Sequence, residues 1–152
     1  MKTTLFALLI LVSLAVSNQA AAQQCYQNNM GQVVCGGQCM VNSAGQVVCG
    51  AGQCLLNRAG QVICAQAAGA GCAMNSMGHV VCANTPNGTC VVNNMGNVVC
   101  GAGQCLVSNM GLIVCAQAQG AGCAIDNMGV VICARTPFGG CVRNEVGQVA
   151  CN

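Results

Sequence analysis

Apolar and turn-forming residues recur in eight segments of eleven residues that share one pattern. Each segment begins and ends with cysteine, and the first cysteine is counted here as position 0. Positions 1, 2, 8 and 9 are mostly apolar, position 3 is Asn, Asp or Ser, and position 6 is always Gly. Two short apolar runs around a polar turn predict two strands joined by a tight connection. The segments span residues 25–35, 39–49, 54–64, 72–82, 90–100, 105–115, 123–133 and 141–151.

The turn residues indicate which connection joins the two strands. Asn, Asp or Ser at the start of a type I turn can accept a hydrogen bond from the backbone two residues further on. A glycine in the left-handed conformation after such a turn completes a three-residue hairpin loop with a bulge. We therefore predict eight β-hairpins with a left-handed glycine in each. These glycines are Gly31, Gly45, Gly60, Gly78, Gly96, Gly111, Gly129 and Gly147.

This hairpin register places the two cysteines of each segment opposite each other. In the fifth segment, Val92 then faces Val98, and Cys90 faces Cys100. Directly opposed residues have Cβ atoms about 4.5–5.5 Å apart, and local twist can bring them to disulfide distance. The sequence therefore predicts eight disulfides, each within one hairpin. The pairs are Cys25–Cys35, Cys39–Cys49, Cys54–Cys64, Cys72–Cys82, Cys90–Cys100, Cys105–Cys115, Cys123–Cys133 and Cys141–Cys151.

The hairpins are apolar on both faces, so each needs a neighbour on either side. An isolated hairpin is barely stable in water, so we expect the hairpins to stack on one another. The first and last copies are more polar and should cap the stack, since they carry Gln27, Arg143 and Glu145. The linkers add a 51-residue super-repeat, in which Cys39 recurs as Cys90. We predict an all-β array of disulfide-stapled hairpins, a solenoid-like stack with three hairpins per turn and like hairpins in contact. The alternative is a flat meander that continues one sheet.

Residues 1–22 have the features of a secretory signal peptide. Lys2 supplies the charged start, residues 5–16 are almost all apolar, and residues 20–22 offer a small-residue cleavage site. Residues 23–152 then form a single cysteine-rich domain of 130 residues, and no later segment is apolar for long enough to span a membrane. The sixteen cysteines indicate an oxidising compartment. We expect a secreted protein, located extracellularly, in a periplasm or on a cell surface.

The charge and the aromatic content of the chain limit which classes of partner and which core residues are expected. After the signal peptide the chain carries Arg58, Arg135 and Arg143 against Asp126 and Glu145. Such a small charge argues against nucleic acid and against a polybasic membrane patch. It also gives weak repulsion between copies, so we expect self-association or binding to other extracellular proteins. Because aromatic residues are nearly absent, we expect a core of Val, Ile, Leu, Met and disulfides.

The same region offers little for catalysis. His79 is its one histidine, and no acid–base or nucleophile–base pair is recognisable. We predict no catalytic residues, no cofactor and no enzymatic activity. Asn87 begins an Asn-Gly-Thr sequence, which is a glycosylation acceptor in a eukaryotic secretory pathway.

Soft-metal binding is the alternative function. Sulfur ligands suit Cu(I) and Zn²⁺, and five methionines share position 5. However, thiolate clusters use closely spaced cysteines together with histidine, whereas cysteines opposite each other across a turn favour disulfides. We therefore predict no metal site and interpret the methionines as packing between turns. These methionines are Met30, Met77, Met95, Met110 and Met128.

The predicted function is that of a highly stable, self-associating structural, surface or matrix repeat protein. The alternative is a secreted protein that binds Cu or Zn through Cys and Met. A protease-resistant defence or inhibitor module is a third hypothesis. An ice-binding face is disfavoured because rows of threonine are missing: after the signal peptide only Thr85, Thr89 and Thr136 remain.

Overall fold

The computed structural model describes residues 24–152, so the predicted signal peptide lies outside the described residues. All regular elements in this range are short β-strands. They are β1 (Gln24–Gln27), β2 (Val33–Gly36), β3 (Gln38–Val41), β4 (Val47–Gly50), β5 (Cys54–Leu56), β6 (Val62–Cys64), β7 (Cys72–Met74), β8 (Val80–Cys82), β9 (Cys90–Val92), β10 (Val98–Cys100), β11 (Cys105–Val107), β12 (Ile113–Cys115), β13 (Cys123–Ile125), β14 (Val131–Cys133), β15 (Cys141–Arg143) and β16 (Val149–Cys151).

Consecutive strands pair antiparallel into eight separate two-stranded sheets. We number them hairpin 1 (β1 and β2) to hairpin 8 (β15 and β16). In hairpin 5, Cys90 lies opposite Cys100 and Val92 opposite Val98, and the other hairpins have the same register. The predicted all-β array of hairpins is therefore confirmed.

The turn of hairpin 5 shows why the register is the same throughout. The Gly96 N–H donates to the Asn93 carbonyl at 2.9 Å. The Asn93 side-chain oxygen accepts from the N–H groups of Met95 and Asn97, at 3.0 and 2.8 Å. Gly96 has a φ of +80°, and the eight turn glycines all lie between +77° and +86°. A polar residue and a glycine three residues later thus determine the loop in each copy.

Each hairpin stacks face to face on the next one in the chain. Met40 and Val48, at positions 1 and 9 of hairpin 2, pack against Cys54, Val62 and Cys64 of hairpin 3. The face with the cysteines and positions 2 and 8 therefore meets the preceding hairpin, and the face with positions 1 and 9 meets the following one. Both apolar faces are partly covered within the stack, where side chains such as Leu56 and Val81 keep 43% and 42% exposure.

The predicted contact between hairpins three apart is wrong, and so is the flat meander. The main contacts of every hairpin are with its neighbours in sequence, since each linker starts and ends at the open end of a hairpin and has only three to seven residues. The super-repeat appears in the linkers instead. Gly69 and Gly120 have φ of +65° and +62°, and Asn87 and Phe138 have +57° and +58°. The 51-residue period is therefore a repeat of linker conformation and not of contacts between hairpins.

The expectation for the core is only partly correct. The buried apolar residues are cysteines, two valines and linker alanines, whereas Leu, Ile and Met side chains remain at least partly exposed. The linkers cross the open ends of the hairpins too closely for larger side chains. For example, a Cβ on Gly52 would approach the Ala70 carbonyl oxygen to 2.5 Å. The linker alanines, with at most 3% exposure, are Ala65, Ala70, Ala83, Ala116, Ala121 and Ala134.

Candidate functional site

The disulfides form a column along the stack. All eight predicted pairs are bonded, with Cα atoms 4.0–4.1 Å apart. The sulfurs lie against the backbone at the start of the preceding hairpin: Cys72 Sγ is 3.1 Å from the carbonyl oxygen of Gln53, and Cys123 Sγ is 3.1 Å from that of Gln104, each the linker residue just before that hairpin. No cysteine of residues 24–152 is free. The disulfides therefore link the two strands of each hairpin and also pack one hairpin on the next.

The titratable side chains are dispersed over the stack. His79 is exposed in hairpin 4, and two further hairpins separate it from Asp126 in hairpin 7. The Asp126 carboxylate accepts hydrogen bonds from the Met128 and Val130 N–H groups at 2.9 and 2.8 Å. Asp126 thus performs the turn role that Asn93 performs in hairpin 5. Within residues 24–152, no three His, Cys, Asp or Glu residues are grouped so that they could hold a metal ion.

The turns align along one edge of the stack, which we call the turn edge. At six of the seven junctions, the N–H at position 4 donates to the turn-glycine carbonyl of the next hairpin, as Ser76 does to Gly96 at 2.9 Å. This alignment brings position 5 of all hairpins to one edge, where Met77, Met95, Met110 and Met128 follow one another and Met30 is separated from them by Ala44 and Ala59. The five methionines are 64–78% exposed, so the expected packing between turns is wrong. Val146 follows Met128 on this edge at 68% exposure in hairpin 8.

The side chains at position 4 were missed from the sequence. Each lies over the turn glycine of the following hairpin, so that a Cβ on Gly96 would collide with Ser76 and one on Gly129 with Asn109. The signal was present, because position 4 is Asn or Ser in six of the eight copies. The turn glycine is therefore required for its positive φ and also for the close approach of the preceding turn.

Gln27 caps the first hairpin. Its Nε2 donates to the Gly31 carbonyl oxygen at 3.1 Å. In six of the seven later hairpins, the corresponding glycine carbonyl accepts from the preceding turn. Val33 on the same face is 65% exposed, whereas the residues at the equivalent position of the other hairpins are half-buried or, at Val62 and Val131, 8% exposed. Gln27 therefore supplies the hydrogen bond that a preceding hairpin would otherwise provide.

At the other end of the stack, hairpin 8 differs from the polar cap that the sequence predicts. Arg143 occupies position 2, which alternation places on the face toward hairpin 7. The outward face of hairpin 8 instead carries Val142, which is 71% exposed, and Ala150, which is also exposed. Arg143 therefore does not cover this apolar face, because position parity directs its side chain to the other side, and Glu145 lies at position 4 in the turn, away from Val142 and Ala150 on the strands.

Asn87 lies in the linker between hairpins 4 and 5, and it is exposed. The Thr89 hydroxyl of the same motif donates to the Gly103 carbonyl at 3.0 Å and accepts from the Cys105 N–H at 2.9 Å. Glycosylation of Asn87 stays a prediction.

The fold and these surfaces define a class, a stack of disulfide-stapled β-hairpins with an exposed turn edge. No protein-family model, curated protein or solved structure matches the chain. Residues 24–152 include no helix with the length and hydropathy needed to cross a membrane. The eight disulfides indicate an oxidising, extracellular type of environment.

Proposed function

We propose that the chain is a secreted, non-catalytic structural protein that self-associates as a durable building block. The proposal rests on the way the hairpins are cross-linked and stacked. Every hairpin is joined internally by a disulfide and packs on its neighbours in the stack, apart from the outer face at each end. Eight small cross-linked loops restrict the unfolded chain, so the fold should resist unfolding and proteolysis.

Self-association is supported by what the stack leaves exposed. Apolar side chains remain at the turn edge and on the two end faces, where Val33 and Val142 are 65% and 71% exposed. Each sheet has only two strands, so backbone groups on its outer sides are available for pairing. With three arginines and two carboxylates on residues 24–152, electrostatic repulsion between copies is weak.

The concentration dependence of particle size tests this function. Oxidised protein without residues 1–22 is expected to form larger assemblies as concentration rises, and these should persist in 0.5 M NaCl because the contacts are apolar. Sedimentation velocity, light scattering and electron microscopy would follow them. A monodisperse monomer at high concentration in both low and high salt would contradict the proposal and favour a stand-alone binding module.

The metal-binding alternative makes a different prediction. Thiolate, not disulfide sulfur, is the metal ligand, and all described cysteines are paired. The soft ligands that remain in the described range are methionine thioethers, most of them on the turn edge, which suit Cu(I), whereas Zn²⁺ takes Cys, His and carboxylate ligands, of which His79 is the single imidazole. We expect no stoichiometric Zn²⁺ or Cu(I) in oxidised protein dialysed against each metal. Elemental analysis with a parallel thiol count measures this. Several metal ions per chain together with free thiols would support the alternative.

A further inference from the structure

We propose that copies join head to tail, with hairpin 1 of one copy stacked on the outer face of hairpin 8 of another. This inference rests on the proposed self-association and names its interface. The partner is a second copy of the chain because the two end faces are the two halves of a contact that occurs seven times within one chain.

The side chains of the two faces correspond to those of the internal contact. Inside the stack, positions 1 and 9 pack on the disulfide and on position 8 of the next hairpin. Hairpin 8 presents Val142 and Ala150 at positions 1 and 9, and hairpin 1 presents the Cys25–Cys35 disulfide and Val33. Joining the faces would lower the exposure of Val33 from 65% to that of the internal position 8 residues, which are half-buried or, at Val62 and Val131, 8% exposed.

The backbone groups correspond as well. Between hairpins 7 and 8, the Asn127 N–H donates to the Gly147 carbonyl at 3.1 Å, and Cys141 Sγ lies 3.4 Å from the Gly122 carbonyl oxygen. In the proposed junction, the Glu145 N–H would donate to the Gly31 carbonyl of the next copy.

Gln27 controls access to this junction. Its amide already donates to the Gly31 carbonyl, so it competes with the N–H of an added copy for that oxygen, although a turn-glycine carbonyl can accept two donors, as Gly60 does from Ser43. The equivalent residue of hairpin 3 is Leu56, which leaves the turn carbonyl of Gly60 to the preceding Ser43 N–H. Gln27 therefore weakens end-to-end addition without preventing it.

The geometry also determines the type of assembly. A head-to-tail contact joins two different faces, so each added copy presents a new free face. Such heterologous contacts build open linear assemblies unless the rotation closes a ring. Unbranched filaments are therefore expected.

Two exposed valines of hairpin 8 provide a matched test. Val142 lies on the outer face and is 71% exposed, and Val146 lies on the turn edge and is 68% exposed. Val142→Lys should raise the concentration needed for assembly about tenfold or more, because the junction would bury an unpaired ammonium. Val146→Lys should leave that concentration within about twofold, since the lysine stays in solvent. Far-ultraviolet circular dichroism and non-reducing peptide maps check that both variants fold.

Gln27→Leu tests the opposite direction. It removes the amide from the Gly31 carbonyl and adds apolar area, so it should lower the assembly concentration about tenfold. Adding Val142→Lys to Gln27→Leu should reverse this gain.

The other outcomes separate the two proposals. Assembly blocked by Val146→Lys but not by Val142→Lys would overturn the head-to-tail junction in favour of lateral contact through the turn edge, and self-association would stand. Equal effects of both lysines, or no effect of Gln27→Leu, would also overturn the junction. If neither the variants nor the unmodified chain assemble, self-association itself is overturned.

Discussion

Complete reduction of the disulfides is expected to unfold the protein at 25 °C without denaturant. In the chain-entropy model each loop, closed by cysteines ten residues apart, contributes about 3 kcal/mol at most. Even heavily discounted, eight such contributions exceed the typical net stability of a domain, about 5–15 kcal/mol. No large side chain in the described range is fully buried, so the core cannot compensate.

The measurement is far-ultraviolet circular dichroism after reduction and alkylation, with sixteen alkylated thiols confirmed by mass. Protein treated with the alkylating agent alone is the control and should keep its spectrum. A native spectrum with all thiols alkylated would show that packing holds the stack without the cross-links.

Alanine at Gly96 is expected to destabilise the protein much more than alanine at Gly31. The two glycines have the same φ of +80°, so both variants incur the strain of a left-handed alanine, about 1–2 kcal/mol. At Gly96 the new Cβ would also collide with Ser76 of the preceding turn, whereas at Gly31 the nearest atom is Gln27 Nε2 at 3.6 Å. Overpacking adds about 1–3 kcal/mol, so Gly96→Ala should cost about 2–5 kcal/mol in total.

Hydrogen–deuterium exchange read by mass spectrometry would report the local opening free energy of each hairpin. The loss in Gly96→Ala should concentrate in hairpins 4 and 5, because the collision lies between their turns and the other hairpins keep their own disulfides. Equal losses in the two variants would mean that the turns do not press on each other in solution.

The hairpins and their disulfides could be predicted because the interactions that define them are local. Asn93 and Gly96 lie within one turn, and together they align Cys90 with Cys100. The same residues recur at the same spacing in all eight copies, so the sequence alone determined strand positions, register and cysteine pairing. The polar character of Gln27 likewise identified hairpin 1 as an end copy.

The order of stacking, the core and the exposed surfaces were decided only by the tertiary structure. Which hairpin contacts which depends on where the linkers run, and the 51-residue period suggested contacts three apart that do not form. Ala70 belongs to the core because the linkers crowd the open ends of the hairpins. Met95 is 78% exposed because the aligned turns leave position 5 in solvent. Strand alternation gives the side of each residue but not the hairpin that it faces. Only stacking showed that Gln27 replaces a missing neighbour and that Val142 lies on an uncovered face.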